Sequence, residues 1–138
     1  MAQSATAEVD WRRLAARTGL YPGEAFQFVR DGLNRTSELI HGPGGASEAD
    51  RHVSGQQLCM GLRDYAIERY GMLALSVLSG WNVHRTDDFG RIVFGMIDAG
   101  LFSKSQRDSI DDFRGVFDFQ EAFSRDRLVH AIGRRGHA

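Results

Sequence analysis

Histidine and cysteine are the side chains of this sequence best suited to metal binding or nucleophilic chemistry. No two histidines stand three to five residues apart, as two ligands on one helix would, and none has a metal-ligand spacing with the single cysteine, Cys59. A lone cysteine also excludes an intramolecular disulfide and a thiolate metal cage. The sequence therefore predicts neither a metal ion nor a cofactor. The histidines are His41, His52, His84, His130 and His137.

The densest polar cluster is His84-Arg85-Thr86-Asp87-Asp88. The imidazole of His84 can act as a general base, and a neighbouring aspartate can orient it. The same residues also fit a helix start, with Thr86 as the N-cap and two aspartates at the positive end of the helix dipole. An enzyme with a site near His52 and His84, beside the glycine-rich loop 42–53, therefore stays as one alternative function.

Arginine is concentrated near the end of a chain whose formal net charge is −1. Residues 124–138 hold four arginines against a single acidic residue, so they form a basic arm on a mildly acidic body. About four phosphate contacts give only weak, salt-sensitive binding. A nucleic-acid or ribosome-associated accessory protein is therefore the other alternative function, with Arg125, Arg127, Arg134 and Arg135 as the candidate phosphate contacts.

Hydrophobic periodicity predicts helices along most of the chain, and 138 residues with 42% hydrophobic content suffice for one core. We predict a mainly α fold, a single compact domain of about five or six helices over residues 9–123. A small β pairing between residues 52–53 and 116–119 is an open option. Residues 1–8 are predicted to be a disordered leader, and residues 124–138 a flexible basic tail.

The helix predicted over residues 54–70 carries apolar residues on two sides. It begins with the capping-box pattern, in which Gln57 follows Ser54 by three residues. Met60 and Ile67, seven residues apart, form a second apolar stripe opposite the main face. A helix that is apolar on two sides is either sandwiched between neighbours or partly covered by a partner.

Four phenylalanines near the end of the predicted domain supply further apolar area, and we call them the aromatic strap: Phe113, Phe117, Phe119 and Phe123. Met60, Ile67 and the aromatic strap together are the predicted interaction surface. The leading functional hypothesis is a non-enzymatic binding module that contacts another protein or a second copy of itself.

The sequence gives no sign of a membrane segment or of export. No apolar run reaches the roughly 20 residues that a membrane span needs. The first residues lack the charged and apolar regions of a signal peptide. We therefore expect a cytoplasmic protein without membrane contact.

Three blocks of sequence occur in order along the chain: His52-Val53-Ser54-Gly55-Gln56-Gln57-Leu58, then residues 81–94 with Thr86-Asp87-Asp88-Phe89-Gly90-Arg91, then Asp111-Asp112-Phe113 with Val116-Phe117-Asp118-Phe119. Together they resemble an uncharacterised family of small proteins found mainly in Planctomycetes and Verrucomicrobia. The resemblance covers residues 21–123 and implies one intact domain with variable termini. That family has no assigned activity, so the resemblance implies no catalytic residue.

Overall fold

The computed structural model describes residues 1–3, 9–42 and 51–135. For residues 134 and 135 it describes the backbone only. The mainly α fold predicted from the sequence is confirmed. The α-helices are α1 Trp11–Thr18, α2 Gly23–His41, α3 Gly55–Tyr70, α4 Ala74–Gly80, α5 Thr86–Asp98, α6 Phe119–Ala122 and α7 Arg125–Arg135. The 3-10 helices are Gly71–Leu73 and Ile110–Phe113, and the strands are β1 Ala2–Gln3 and β2 Phe102–Ser103.

The central pair of helices is α2 and α3, which pack closely along their apolar faces. Glycine makes this approach possible, because a Cβ on Gly61 of α3 would overlap the Thr36 side chain of α2. On the other helix, a Cβ on Gly32 would overlap Leu62 in the same way. The capping box predicted for α3 is confirmed: the Gln57 amide donates to Ser54 Oγ at 3.1 Å, and the Ser54 amide donates to Gln57 Oε1 at 2.9 Å.

The short sheet does not lie where the sequence predicted it. β1 pairs with β2 in antiparallel register, Ala2 opposite Ser103 and Gln3 opposite Phe102. Val53 does pair with another backbone segment, but its amide and carbonyl bond to Met1, each at 2.9 Å. Residues 116–119 form no strand. The suggested pairing between residues 52–53 and 116–119 is therefore wrong.

Both predictions for the chain ends need correction. Met1 and Ala2 are buried, and the Met1 α-ammonium lies 2.9 Å from Asp108 Oδ2, so the predicted disorder of residues 1–8 is wrong for residues 1–3. Residues 4–8 lie outside the described part of the chain. The predicted flexible tail is wrong for residues 125–135, because α7 packs on α3 through the buried side chain of Leu128. Residues 136–138 lie outside the description.

The segment between α5 and α6 forms no α-helix. It contains β2 and then the 3-10 helix Ile110–Phe113. Asp108 is held between them, since its Oδ2 accepts from the Ser105 amide at 2.8 Å and from the Met1 ammonium. Within the described ranges, no helix combines the length and apolar content needed to cross a membrane.

Candidate functional site

Three exposed apolar side chains line one groove, which makes this groove the strongest candidate for a functional site. The exposed fractions are 47% for Met72, 56% for Val129 and 36% for Ile132. The groove has a volume of about 670 Å³. We call it the apolar groove, and it is lined by Met72, Leu75, Ser76, Phe123, Arg125, Leu128, Val129, Ile132 and Gly133.

The helical period of α7 explains how the groove forms. Residues three and four apart share a helix face, so Arg125, Leu128, Val129 and Ile132 turn toward the same side. Leu128 is buried and anchors this face, while Val129 and Ile132 remain at the groove. Opposite them, Ile132 lies next to Gly71, since a Cβ on this glycine would be in ordinary van der Waals contact with Ile132 Cδ1 at 3.7 Å. The groove therefore depends on the docking of α7.

The apolar groove carries positive charge and no negative charge among its described lining residues. Among the described residues that line it, Arg125 is the only charged one. Ser76 adds a neutral hydroxyl, and the remaining lining side chains are apolar or absent. A ligand that fits this surface needs an apolar face and, at its edge, a negative charge.

A second well-organised region is the junction where the 3-10 helix Ile110–Phe113 meets α3 and α5. The ring of Phe113 is fully buried. Phe113 packs against two glycines. A Cβ on Gly55 would lie 3.1 Å from the Phe113 ring, and a Cβ on Gly90 would lie 2.8 Å from Phe113 Cβ. The three sequence blocks described above meet here. Packing at this junction therefore gives a structural reason for the presence of all three blocks in one domain.

Thr86 takes a different role from the predicted one. Arg85 occupies the N-cap position of α5, and Thr86 is the first helical residue. The Thr86 hydroxyl donates to the Phe113 carbonyl at 2.6 Å and accepts from the Val116 amide at 3.1 Å. The prediction that Thr86 caps the helix is therefore wrong, and its side chain instead ties α5 to the following segment.

Asp88 performs the capping with its buried carboxylate. Its Oδ2 accepts from the amides of His84 at 2.8 Å and Arg85 at 3.2 Å, and its Oδ1 accepts from the Tyr21 hydroxyl at 2.6 Å and from Arg91 at 2.8 Å. Burial alone would raise the pKa of Asp88, but these hydrogen bonds and the Arg91 charge outweigh it, so the pKa is lowered. Burial, and then the bond to Asp88, raise the pKa of Tyr21 to about 12.

The Asp88 network gives a pH-dependent prediction. Asp88→Asn removes the charge, and we expect the free energy of unfolding at pH 7 to fall by about 1.5–3 kcal/mol, the usual contribution of hydrogen bonds to a charged group. A lowered folded-state pKa contributes stability above the ordinary value of 3.8, and this contribution disappears as the pH falls through the folded-state pKa. Urea unfolding measured from about pH 7 down to about pH 3, below the ordinary pKa of aspartate, measures the difference.

The control for this experiment is Asp126→Asn, which alters an exposed carboxylate of α7. The gap in stability between wild type and Asp88→Asn should narrow below the ordinary pKa of 3.8, whereas Asp126→Asn should track wild type. A gap that stays constant from neutral to acidic pH would contradict the proposed role of the Asp88 charge.

The predicted interaction surface is largely inside the domain. Ile67 and three members of the aromatic strap, Phe113, Phe119 and Phe123, are buried, so their prediction as an open contact surface is wrong. Helical periodicity shows which side chains share one face of a helix, but it does not show whether that face is covered. In the structure, α5 and α7 pack on α3 and cover its second apolar face. Phe117 is half-buried and stacks on Phe119 with ring centroids 5.4 Å apart. Met60 alone keeps substantial exposure, at 39%.

Among the described residues, the histidines form no common site. His84 Nε2 lies 3.0 Å from Asn82 Oδ1, and His41 Nε2 lies 2.8 Å from the His52 carbonyl. Of the four main pockets formed by described residues, none is lined by His52 or His84. Within the described ranges, no three His, Cys, Asp or Glu side chains are grouped as metal ligands. Burial raises the pKa of the Cys59 thiol to about 12, so it is a poor nucleophile.

The candidate phosphate contacts are divided by the structure. Arg125 and Arg127 are exposed on different sides of α7. Arg127 forms an ion pair with Glu121 at 3.0 Å, which offsets its charge. Arg134 and Arg135 end α7, but their side chains lie outside the described part of the structure.

Sequence reasoning missed the residues of the apolar groove. Met72 follows α3 and was not among the residues of the predicted interaction surface. Val129 and Ile132 belonged to the predicted flexible tail. One signal was present in the sequence: Leu128, Val129 and Ile132 recur at helical spacing, which is typical of an amphipathic helix.

Comparison with known proteins does not place this chain in a family. No protein-family model matches it, and neither the curated proteins nor the solved structures give a significant match. The resemblance to the planctomycete and verrucomicrobial family stays a prediction.

Proposed function

We propose that this chain is a non-enzymatic, cytoplasmic protein-binding module that receives an amphipathic helix with acidic residues at its edge. The observation that carries the proposal is the apolar groove, in which three exposed apolar side chains lie beside the buried side chains of Phe123 and Leu128. Concave surfaces lined mainly by apolar side chains with a few polar groups are the usual form of binding sites. A helix can fill such a groove with side chains spaced at i, i+3, i+4 and i+7.

Charge favours an acidic partner over a second copy of the chain. Arg125 is the charged residue at the groove, so a carboxylate on the partner can pair with it at the edge of the contact. A symmetric contact between two copies would present the same surface twice, bringing a second Arg125 to an interface without a lining carboxylate. The nucleic-acid alternative has less support, because Arg125 and Arg127 lie on different sides of α7 and do not form one basic surface.

The proposal is tested with designed peptides and two groove variants. Fluorescence anisotropy measures binding of a Leu/Glu amphipathic helix and of a Leu/Lys helix with the same apolar positions. We expect saturable binding of the Leu/Glu peptide and weaker binding of the Leu/Lys peptide. Val129→Asp places an unpaired charge against the apolar contact, and Arg125→Glu reverses the charge at the edge. Each is expected to reduce affinity by about tenfold or more.

The control is Leu39→Asp, which alters an exposed side chain of α2 outside the groove and should leave peptide affinity unchanged. Sedimentation of the free protein distinguishes self-association. If wild type dimerises, Val129→Asp is monomeric and neither peptide binds, the groove is a homodimer contact and the acidic-helix proposal is wrong. Equal loss with Leu39→Asp would also reject the groove as the binding site.

A further inference from the structure

A second pocket lies on the other side of α7, between α3, residues 116–118 and α6. Its volume is about 810 Å³, within the size range of small-molecule sites. The apolar side chains that line it come from four parts of the chain: Ile67, Val116, Phe117, Ala122 and Ala131. Phe117 is half-buried, so its ring is accessible to a bound molecule. We call this the charged pocket because charged side chains also line it.

Charged groups of both signs line this apolar base. Arg127 Nη2 lies 3.0 Å from Glu121 Oε1, and Arg63 Nε lies 3.0 Å from Asp64 Oδ1. Asp118 and His130 complete the titratable lining. Arg127 can still donate to a further partner, because a guanidinium has five donor hydrogens. Asp118 Oδ2 accepts from the Glu121 amide at 3.0 Å, and its second oxygen is not used in that bond.

From this arrangement we infer that the charged pocket binds a small zwitterionic molecule with an apolar body, of the class of hydrophobic α-amino acids. The carboxylate of the ligand pairs with Arg127, its ammonium pairs with Asp118, and its side chain packs on Phe117 and Ile67. A ligand with a single charge satisfies only one of these two groups. A glycine-sized zwitterion satisfies both but leaves the apolar base uncovered.

The inference is independent of the apolar groove. Arg127, His130 and Ala131 line the charged pocket, whereas Arg125, Val129 and Ile132 line the groove. Helical periodicity separates these two sets onto opposite sides of the line through Leu128. Changes at Arg125 therefore test the groove without altering the charged pocket.

Calorimetric titration with four probes tests the inference: L-phenylalanine, its amine analogue without the carboxylate, its acid analogue without the ammonium, and glycine. We expect saturable binding of L-phenylalanine and affinities lower by about tenfold or more for each of the other probes, since each loses a charge-assisted hydrogen bond or the apolar contact. Binding of all four with equal affinity, or saturable binding of none, would overturn the inference.

Matched variants locate the binding. Arg127→Gln removes the cation on an exposed helical position, and Asp118→Asn removes the anion while keeping a residue that can still cap α6. Each should weaken L-phenylalanine binding by about tenfold or more. Arg125→Gln, on the same helix, should leave it unchanged. Thermal melts show whether each variant is folded, and unchanged binding in folded Arg127→Gln and Asp118→Asn would reject this pocket.

Discussion

Replacing Leu128 by alanine is expected to release α7 from the domain and to lower the free energy of unfolding by about 2–5 kcal/mol. Leu128 is the one residue of α7 that is buried among those whose side chains are described. An isolated helix shorter than about 12–15 residues is marginal in water, and α7 has 11 residues. Without its anchor, the helix should therefore unfold locally rather than remain as a free helix.

Urea unfolding and hydrogen exchange measure the two parts of this prediction. In Leu128→Ala, amides of residues 125–135 should exchange faster, while those of α2 and α3 keep most of their protection. Val129→Ala is the matched control, because it shortens the adjacent side chain, which is 56% exposed, and should change stability by about 0.5 kcal/mol or less. Unchanged protection of residues 125–135 in Leu128→Ala would contradict the anchoring role.

Leu128→Ala should impair both proposed sites at once. α7 supplies one wall of the apolar groove and one wall of the charged pocket. Undocking of the helix should therefore abolish binding of the Leu/Glu peptide and of L-phenylalanine together. By contrast, Arg125→Glu should affect only the peptide, and Arg127→Gln only the amino acid. This pattern distinguishes loss of a shared wall from loss of one contact.

Local signals in the sequence predicted the mainly α fold, though not α7, because a helix is specified largely by neighbouring residues. The pair Ser54 and Gln57, three residues apart, was enough to locate the start of α3. The sheet could not be located in this way: Ser103 Oγ donates to the Ala2 carbonyl across 101 residues of chain. A strand of two residues has too little periodicity to be recognised.

The candidate site was harder to predict than the fold, since apolar spacing does not say whether a face is covered. Ile67 and Phe123 were predicted to be open and are buried. Val129 and Ile132 were assigned to a flexible tail and line the apolar groove. The deciding fact in each case is the position of α7, which depends on long-range packing of Leu128. The role of Thr86 was also missed, because its hydrogen-bond partners Phe113 and Val116 lie far from it along the chain.

Replacing Phe113 by alanine is expected to lower the free energy of unfolding by about 3–5 kcal/mol, the usual range for a buried phenylalanine. Its ring is fully buried where α3 and α5 meet, against Gly55 and Gly90. These positions have no side chain that could move into the space left by the ring. The cavity should therefore persist, and the cost should lie toward the upper end of the range.

The single cysteine reports on the same junction. Gly55 contacts the Phe113 ring, and Cys59 lies four residues further on α3, on the same helix face. The Cys59 thiol is fully buried and its pKa is raised to about 12 by that burial, so a thiol reagent reacts only when the junction opens. Labelling of Cys59 should be much faster in Phe113→Ala than in Ile110→Ala, which changes an exposed residue of the same 3-10 helix. Equal labelling rates and equal urea midpoints in the two variants would show that Phe113 does not hold α3 and α5 together.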